Sequence, residues 1–191
     1  MPAIEPSAAS VSGLRRDVAR NRRLILEAAR EIHQAGEPLQ LNAVARRAEV
    51  GVGTVYRHFA TPEALREGLV EHHFVELIEL ARDATGAADP VAALRLFLSH
   101  AFRLYADDPA FAEVSTSTRL ERSETEELRT ELVGEFSGIV QRAAKELRPG
   151  LDGTDLLLLV CGIGYAARRR PEKASEYLSA LLAGLLDDNQ A

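Results

Sequence analysis

The sequence predicts an all-α chain of about nine helices, and three observations predict it. Apolar residues recur at i, i+3, i+4 spacing in nearly every segment. Proline and glycine interrupt that pattern repeatedly, as helix ends require. No segment alternates apolar and polar residues with the period of two that marks a half-buried strand.

The elements follow in chain order. Residues 1–14 are mostly small and polar with two prolines and are expected to be a disordered tail. A helix is expected over 16–35, where Leu24, Ala28 and Ile32 repeat every four residues and Ile25 and Ala29 widen the face; Gly36 and Pro38 end it. Residues 42–59, NAVARRAEVGVGTVYRHF, read as two short helices joined by a turn. Thr61-Pro62-Glu63 combines a capping hydroxyl, a proline suited to the first helical position and an acid near the positive helix end. That predicts a helix from 62 to about Ala84. Thr85-Gly86 and Asp89-Pro90 stop it and start another over 90–106, with a shorter one over 109–118 after Asp107-Asp108-Pro109. Ser123 and Glu126 have capping-box spacing and are expected to open a helix to about Leu147. Residues 152–168 form a helix apolar on nearly every side, and Pro171 starts the last one.

Composition narrows the class. The chain has 191 residues, 46% hydrophobic and 27% charged, enough to bury a proper core. The single cysteine, Cys161, excludes an intramolecular disulfide framework and a cysteine-based zinc site, and reads as a small core residue. The first 14 residues show no basic segment followed by an apolar one, and the longest apolar run, 156–167, is too short to span a bilayer. A cytoplasmic protein without a membrane partner is expected. Net charge is −6 but unevenly placed: residues 1–60 carry nine Arg against six acids, and five of those Arg fall in 15–23, RRDVARNRR. A basic head on an acidic body suits a protein that touches phosphates at one end.

The segment 42–59 carries the functional reading. Val44, Ala45 and Ala48 supply the inner face of its first helix, Val50 plugs the turn, and Val55 and Phe59 supply the inner face of its second. Thr54, Arg57 and His58 share a different face, flanked by Tyr56. Hydroxyl, guanidinium, imidazole and phenol are donors suited to phosphate oxygens and base edges. Gly51 and Gly53 let backbone N–H groups approach a phosphate closely.

These residues resemble the N-terminal domain of TetR-family transcriptional regulators, from about Arg16 to Leu69. The matching stretches are NRRLILEAARE (21–31), AVARRA (43–48), GVGTVYRHF (51–59) and EAL (63–65). The resemblance implies a helix-turn-helix DNA-binding domain over 15–61, preceded by the 1–14 tail, and a helical regulatory and dimerisation domain over 62–191. It implies that Thr54, Tyr56 and His58 hold phosphates of a double-stranded DNA operator. Asn42, Val52, Gly53 and Arg57 lie at or near base edges, and Val52 meets a thymine methyl. Three positions depart from the family habit. Glu49 stands where the turn usually has Gly, in a left-handed conformation that costs about 1 kcal/mol for other residues. Gln40 replaces a common Thr, leaving Asn42 as the working cap. Pro62 replaces a usual Lys or Arg; Arg16 and Arg20, with Arg15, Arg22 and Arg23, are placed to compensate on the DNA backbone or minor groove.

For the larger half, the resemblance implies a pocket for an unidentified, largely apolar small-molecule effector. The candidate lining is Phe74, Ile78, Phe97, His100, Phe102, Tyr105, Phe111 and Phe136. It also implies a homodimer built on the last two helices, for which Leu157, Val160, Tyr165, Tyr177, Leu178, Leu181, Leu182 and Leu185 are the candidates. A two-fold dimer calls for a palindromic operator with half-sites roughly 34 Å apart. No catalytic residue, cofactor or metal site is assigned: no nucleophile–base pair is visible, Gly51-Val52-Gly53 follows no strand, and His72 and His73 lack a third ligand. The reading that follows is a non-enzymatic, ligand-responsive repressor. The alternative is a TetR-like helical interaction module that has lost specific DNA binding, which Glu49 and Pro62 would allow.

Overall fold

The computed structural model describes residues 8–185, with side chains from Arg16 onward. Among the described residues are nine α-helices and no extended strand: α1 (Ala8–Gln34), α2 (Leu41–Arg47), α3 (Val52–His58), α4 (Pro62–Thr85), α5 (Pro90–Asp107), α6 (Pro109–Thr116), α7 (Ser123–Ala143), α8 (Gly153–Arg169) and α9 (Ala174–Leu185), the last preceded by a 3-10 turn at Pro171–Lys173. None is long and apolar enough to cross a membrane. Two compact units result, the first ending at Leu69 and the second beginning at Val70.

Local chemistry explains the helix ends, with corrections. Helix α1 begins at Ala8, so residues 8–14 are helical where a disordered tail was expected; residues 1–7 lie outside the described residues. No proline interrupts the chain between Pro6 and Pro38. Thr61 caps α4 as expected, its Oγ1 accepting the Ala64 N–H at 3.0 Å. Asn42 is not a cap: Gln40 holds that position in α2, without a side-chain bond, and Asn42 lies one turn-residue inside the helix. Ser123 is not one either. Arg122 has the extended capping conformation and its carbonyl accepts the Glu126 N–H at 3.2 Å, so Ser123 already has a helical backbone. The capping box forms instead at α8, where Asp152 and Asp155 each accept the other's backbone N–H, at 2.9 and 3.0 Å.

In the first unit, α1, α2 and α3 pack together around Ile25, Ile32, Val44, Val55 and Phe59, all essentially buried. The early turns of α4 belong with them, which is why this unit ends at Leu69 and not at 61. Leu65 is fully buried, and Gly68 sits so close to Phe59 that a Cβ there would lie 2.5 Å from its Cε1.

In the second unit, α5 is the central element, packed against α6, α7 and α8. The α5–α8 crossing is close because Gly164 has no side chain; a Cβ there would lie 2.7 Å from Tyr105 Cβ and 3.1 Å from its carbonyl carbon. The Arg168 guanidinium donates to the Tyr105 carbonyl at the same crossing. Asp108 caps α6 by accepting the Ala110 and Phe111 N–H groups and lies 3.2 Å from His73 Nε2. Burial raises its pKa, but the His73 and backbone hydrogen bonds outweigh that, and its carboxyl stays below the ordinary range. Arg122 pairs with Glu71 at 2.9 Å in a mostly buried contact.

Candidate functional site

The first candidate site is the α2–turn–α3 segment. Ala48 caps α2 through its N–H to the Val44 carbonyl at 2.8 Å, and the Val50 N–H reaches back to the Ala45 carbonyl at 3.1 Å. Glu49, between them, has φ 53°, the left-handed conformation the turn demands. Val50 is only half-buried. Val55 and Phe59 pin α3 to the core and thereby decide which face is presented. That face carries Val52, 43% exposed, Tyr56, 49% exposed, and the exposed Gly53 and Arg57; Thr54 and His58 are half-buried at its margins.

Arg57 is not loose. Its Nε donates to the Gly53 carbonyl and its Nη2 to Thr54 Oγ1, both at 3.1 Å. These are i−4 and i−3 contacts on one helix face, and they hold the guanidinium in one plane while leaving three of its five N–H donors unused by these bonds. Asn42 is exposed near the start of α2, and Arg16 and Arg20 are exposed on α1. A polar groove of about 530 Å³ beside the turn is lined by Arg20, Glu27, Glu31, Arg47, Glu49 and Thr54, among others. Arg47 spends its charge there on Glu31 at 3.1 Å.

The second candidate site is a cavity of about 380 Å³ in the second unit. Of the eight residues expected to line a pocket, only Phe74 and Tyr105 do. Phe97 and Phe136 stack on each other at 4.4 Å, Phe111 stacks on Tyr105 at 4.9 Å, and Ile78 and Phe102 are buried in the core away from the void. Aromatic rings are the largest fillers, so they close space more often than they border it. His100 is no buried polar ring: it is partly exposed, with Nε2 2.6 Å from Glu76. The remaining wall comes from residues not anticipated: Ser115, Thr116 and Ser117, Arg129 with Thr130, Leu132 and Val133, and Thr154, Leu157, Leu158 and Cys161. The run of hydroxyls at 115–118 in an otherwise apolar context was the available signal. Burial pushes the Tyr105 phenol far above its ordinary range, a neighbouring Cys161 adds to this, and the Ser115 hydroxyl beside it lowers it slightly without forming a hydrogen bond of ordinary geometry. Burial also pushes the Cys161 thiol up, against a smaller opposing effect of Arg168, so both groups are neutral at pH 7. Among the described residues, no group of three His, Cys, Asp or Glu is placed to hold a metal ion.

Residues 25–69, which include this whole turn and its flanking helices, match the family model for bacterial regulatory proteins of the tetR family. That segment is similar to the N-terminal domain of the tetR family. The chain is 32% identical over 97 residues to the HTH-type transcriptional repressor KstR of Rhodococcus jostii (strain RHA1), a match covering 50% of this chain and 45% of that protein. The chain thus matches less than half the length of that relative. Across 91% of its length it superposes on the TetR transcription regulatory protein from Mycobacterium vanbaalenii, with 27% identity, 99% of that chain covered and a TM-score of 0.54. FadR from Bacillus subtilis, solved in complex with stearoyl-CoA, shares the fold with a TM-score of 0.62 at 22% identity, covering 85% of this chain and 98% of that one.

The matched residues contain α2 and α3, the helix-turn-helix segment of this chain. The candidate dimer residues divide in the structure. Leu157 and Val160 face inward, at 8% and 0% exposure, and are core of the single chain. So is Leu185, at 5%. A helix buried on one side cannot lend those residues to a partner; apolarity all round had hidden which side that was. Tyr165 is 57% exposed, and Leu158 and Leu159, which were not singled out, are 52% and 42% exposed on the same α8 face. Tyr177, Leu178, Leu181 and Leu182 on α9 are half-buried.

Proposed function

We propose that this chain is a TetR-family, ligand-responsive repressor that binds a palindromic operator as a homodimer. The observation that carries it is the presented face of α3: donors and an apolar contact group exposed together on a helix whose opposite side is buried. In this reading Arg57 and Val52 read base edges with Asn42 and Gly53, and Thr54, Tyr56 and His58 hold phosphates. Arg16 and Arg20 add backbone or minor-groove contacts from α1, replacing the base that Pro62 displaces. The Gly53 and Thr54 contacts aim Arg57 before DNA arrives, which reduces the ordering cost of a bidentate contact to guanine.

Dimerisation is proposed through the exposed α8 face of Leu158, Leu159 and Tyr165 together with α9. The effector occupies the cavity between α4, α6, α7 and α8 and favours a conformation unable to engage both half-sites, shifting the population off the operator. The largely apolar lining supports an effector with a substantial apolar part. The acyl-CoA in the Bacillus subtilis FadR structure is consistent with that. The division between Leu69 and Val70 supports a DNA-binding domain that ends near 69 and a regulatory and dimerisation domain after it.

The test is a mobility-shift titration on the chain's own upstream region with wild type, Arg57→Ala and Tyr56→Ala. Loss of a base contact costs about 1–3 kcal/mol, so Arg57→Ala weakens specific binding roughly tenfold or more. Binding unchanged by both variants overturns the residue assignment. Glu49, an exposed carboxylate at the turn, favours one other reading, an interaction module without specific DNA binding. Negligible affinity for any duplex at low salt would support that instead.

A further inference from the structure

We propose that the effector is an amphipathic anion, a carboxylate-bearing molecule whose charged end is held at Arg129 and whose apolar body lies along Phe74, Leu132 and Leu157. This rests on the reading of the cavity as the effector site. The cavity lining is mostly apolar with a polar minority. Phe74, Tyr105, Leu132 and Leu157 are buried and give an apolar wall, and Ser115, Thr116, Ser117, Thr130 and Thr154 also contribute to the lining. Among the described residues, Arg129 is the one charged residue in that lining, and no carboxylate or second cation contributes to it. A ligand cation finds no partner there, and an anion finds one.

The hydrogen bonds leave Arg129 capacity for it. Nη1 donates to the Ser117 carbonyl and Nη2 to Glu126 Oε2, each at 2.5 Å, and guanidinium has five N–H donors. Glu126 is 51% exposed, so its pairing is screened by water and worth little, and a ligand carboxylate in the less hydrated cavity competes with it. The Ser117 contact fixes the guanidinium against the loop after α6, so the charge is held at the wall. The Ser115 hydroxyl, beside the Tyr105 phenol but without a hydrogen bond of ordinary geometry, offers a further donor on the same lining.

Calorimetric titration of the full chain with decanoate, decanol and decylamine tests this, because the three share one tail and differ in the head. Decanoate is expected to bind at least about tenfold more tightly than either. Arg129→Gln should abolish that preference with decanol affinity unchanged, and Arg129→Lys should keep most of it. Comparing ligands within one variant makes the preference independent of small changes in stability. Protection of Cys161, the only thiol, from methyl methanethiosulfonate by decanoate places the binding in the cavity. Equal affinity for decanoate and decanol, a preference unaltered by Arg129→Gln, no binding of decanoate at millimolar concentration, or binding without Cys161 protection would each overturn the proposal. The broader reading is judged separately by DNA release. Operator release by decanol alone would retain a ligand-responsive repressor and refute the anionic effector. Carboxylate binding at Arg129 without release would do the reverse.

Discussion

Gly164→Ala should destabilise the second unit, although alanine is the better helix former. The gain from propensity in the middle of α8 is about 1 kcal/mol. Against it, the new Cβ would stand 2.7 Å from Tyr105 Cβ, 3.1 Å from its carbonyl carbon and 3.3 Å from the Ala106 nitrogen. Ordinary contact begins near 3.4 Å, so α5 and α8 must separate by several tenths of an ångström. The atoms met belong largely to the α5 backbone, which is anchored by Phe97, Leu98 and Ala101, all fully buried, and no side-chain rotation relieves the clash. Overpacking costs typically 1–3 kcal/mol, and the rigid neighbour places this case in the upper part of that range. A net loss of about 1–2 kcal/mol is expected, or roughly 3–6 °C in Tm for a chain of this length. Gly134→Ala in α7 is the control: nothing lies within 4 Å of a Cβ there and the site is exposed, so the same substitution should stabilise by up to about 1 kcal/mol. Thermal unfolding followed by circular dichroism at one fixed protein concentration measures both. A Gly164→Ala protein at least as stable as wild type would refute the close-crossing argument.

Two other outcomes follow from the same kind of reasoning. Glu49→Gly relieves a left-handed non-glycine backbone, partly offset by glycine's extra freedom when unfolded, for a net gain of about 0.5–1 kcal/mol in urea unfolding. It also removes an exposed carboxylate beside the proposed DNA face, so operator affinity should rise; a lower urea midpoint would contradict the turn geometry. Arg122→Ala removes an ion-pair partner of Glu71 in a site where the two side chains are only 13% and 17% exposed, and should cost about 3 kcal/mol. Replacing both, Glu71→Leu with Arg122→Met, should recover most of that loss, since two apolar residues leave neither charge of this buried pair behind; a double variant no more stable than Arg122→Ala would refute it.

Most helix limits were legible because proline, glycine and capping side chains act on their immediate neighbours. Thr61 and Pro62 at α4 and Asp89 and Pro90 at α5 follow that rule. Ser123 broke it, because one residue of extended backbone at Arg122 moved the cap out of reach. The left-handed turn at Glu49 was legible through the resemblance, because TetR-family turns usually place Gly there, and the φ of 53° agrees.

By itself the sequence determined the all-α class and the inner and outer faces of α2 and α3, because each depends on residues within one or two turns; the positive φ at Glu49 followed from the resemblance to TetR-family turns. Tertiary structure alone decided where the void lies and which side of α8 remains open. Most of the expected aromatic pocket became packed core, and Phe74 and Tyr105 share the cavity wall with Leu132, Leu157, several hydroxyl residues, Arg129 and Cys161. Leu157 and Val160 turned inward while Leu158 and Tyr165 turned outward on a helix whose composition distinguishes neither side. A cavity is space left when helices distant in the chain meet, and no residue's own spacing encodes what its neighbours fail to fill.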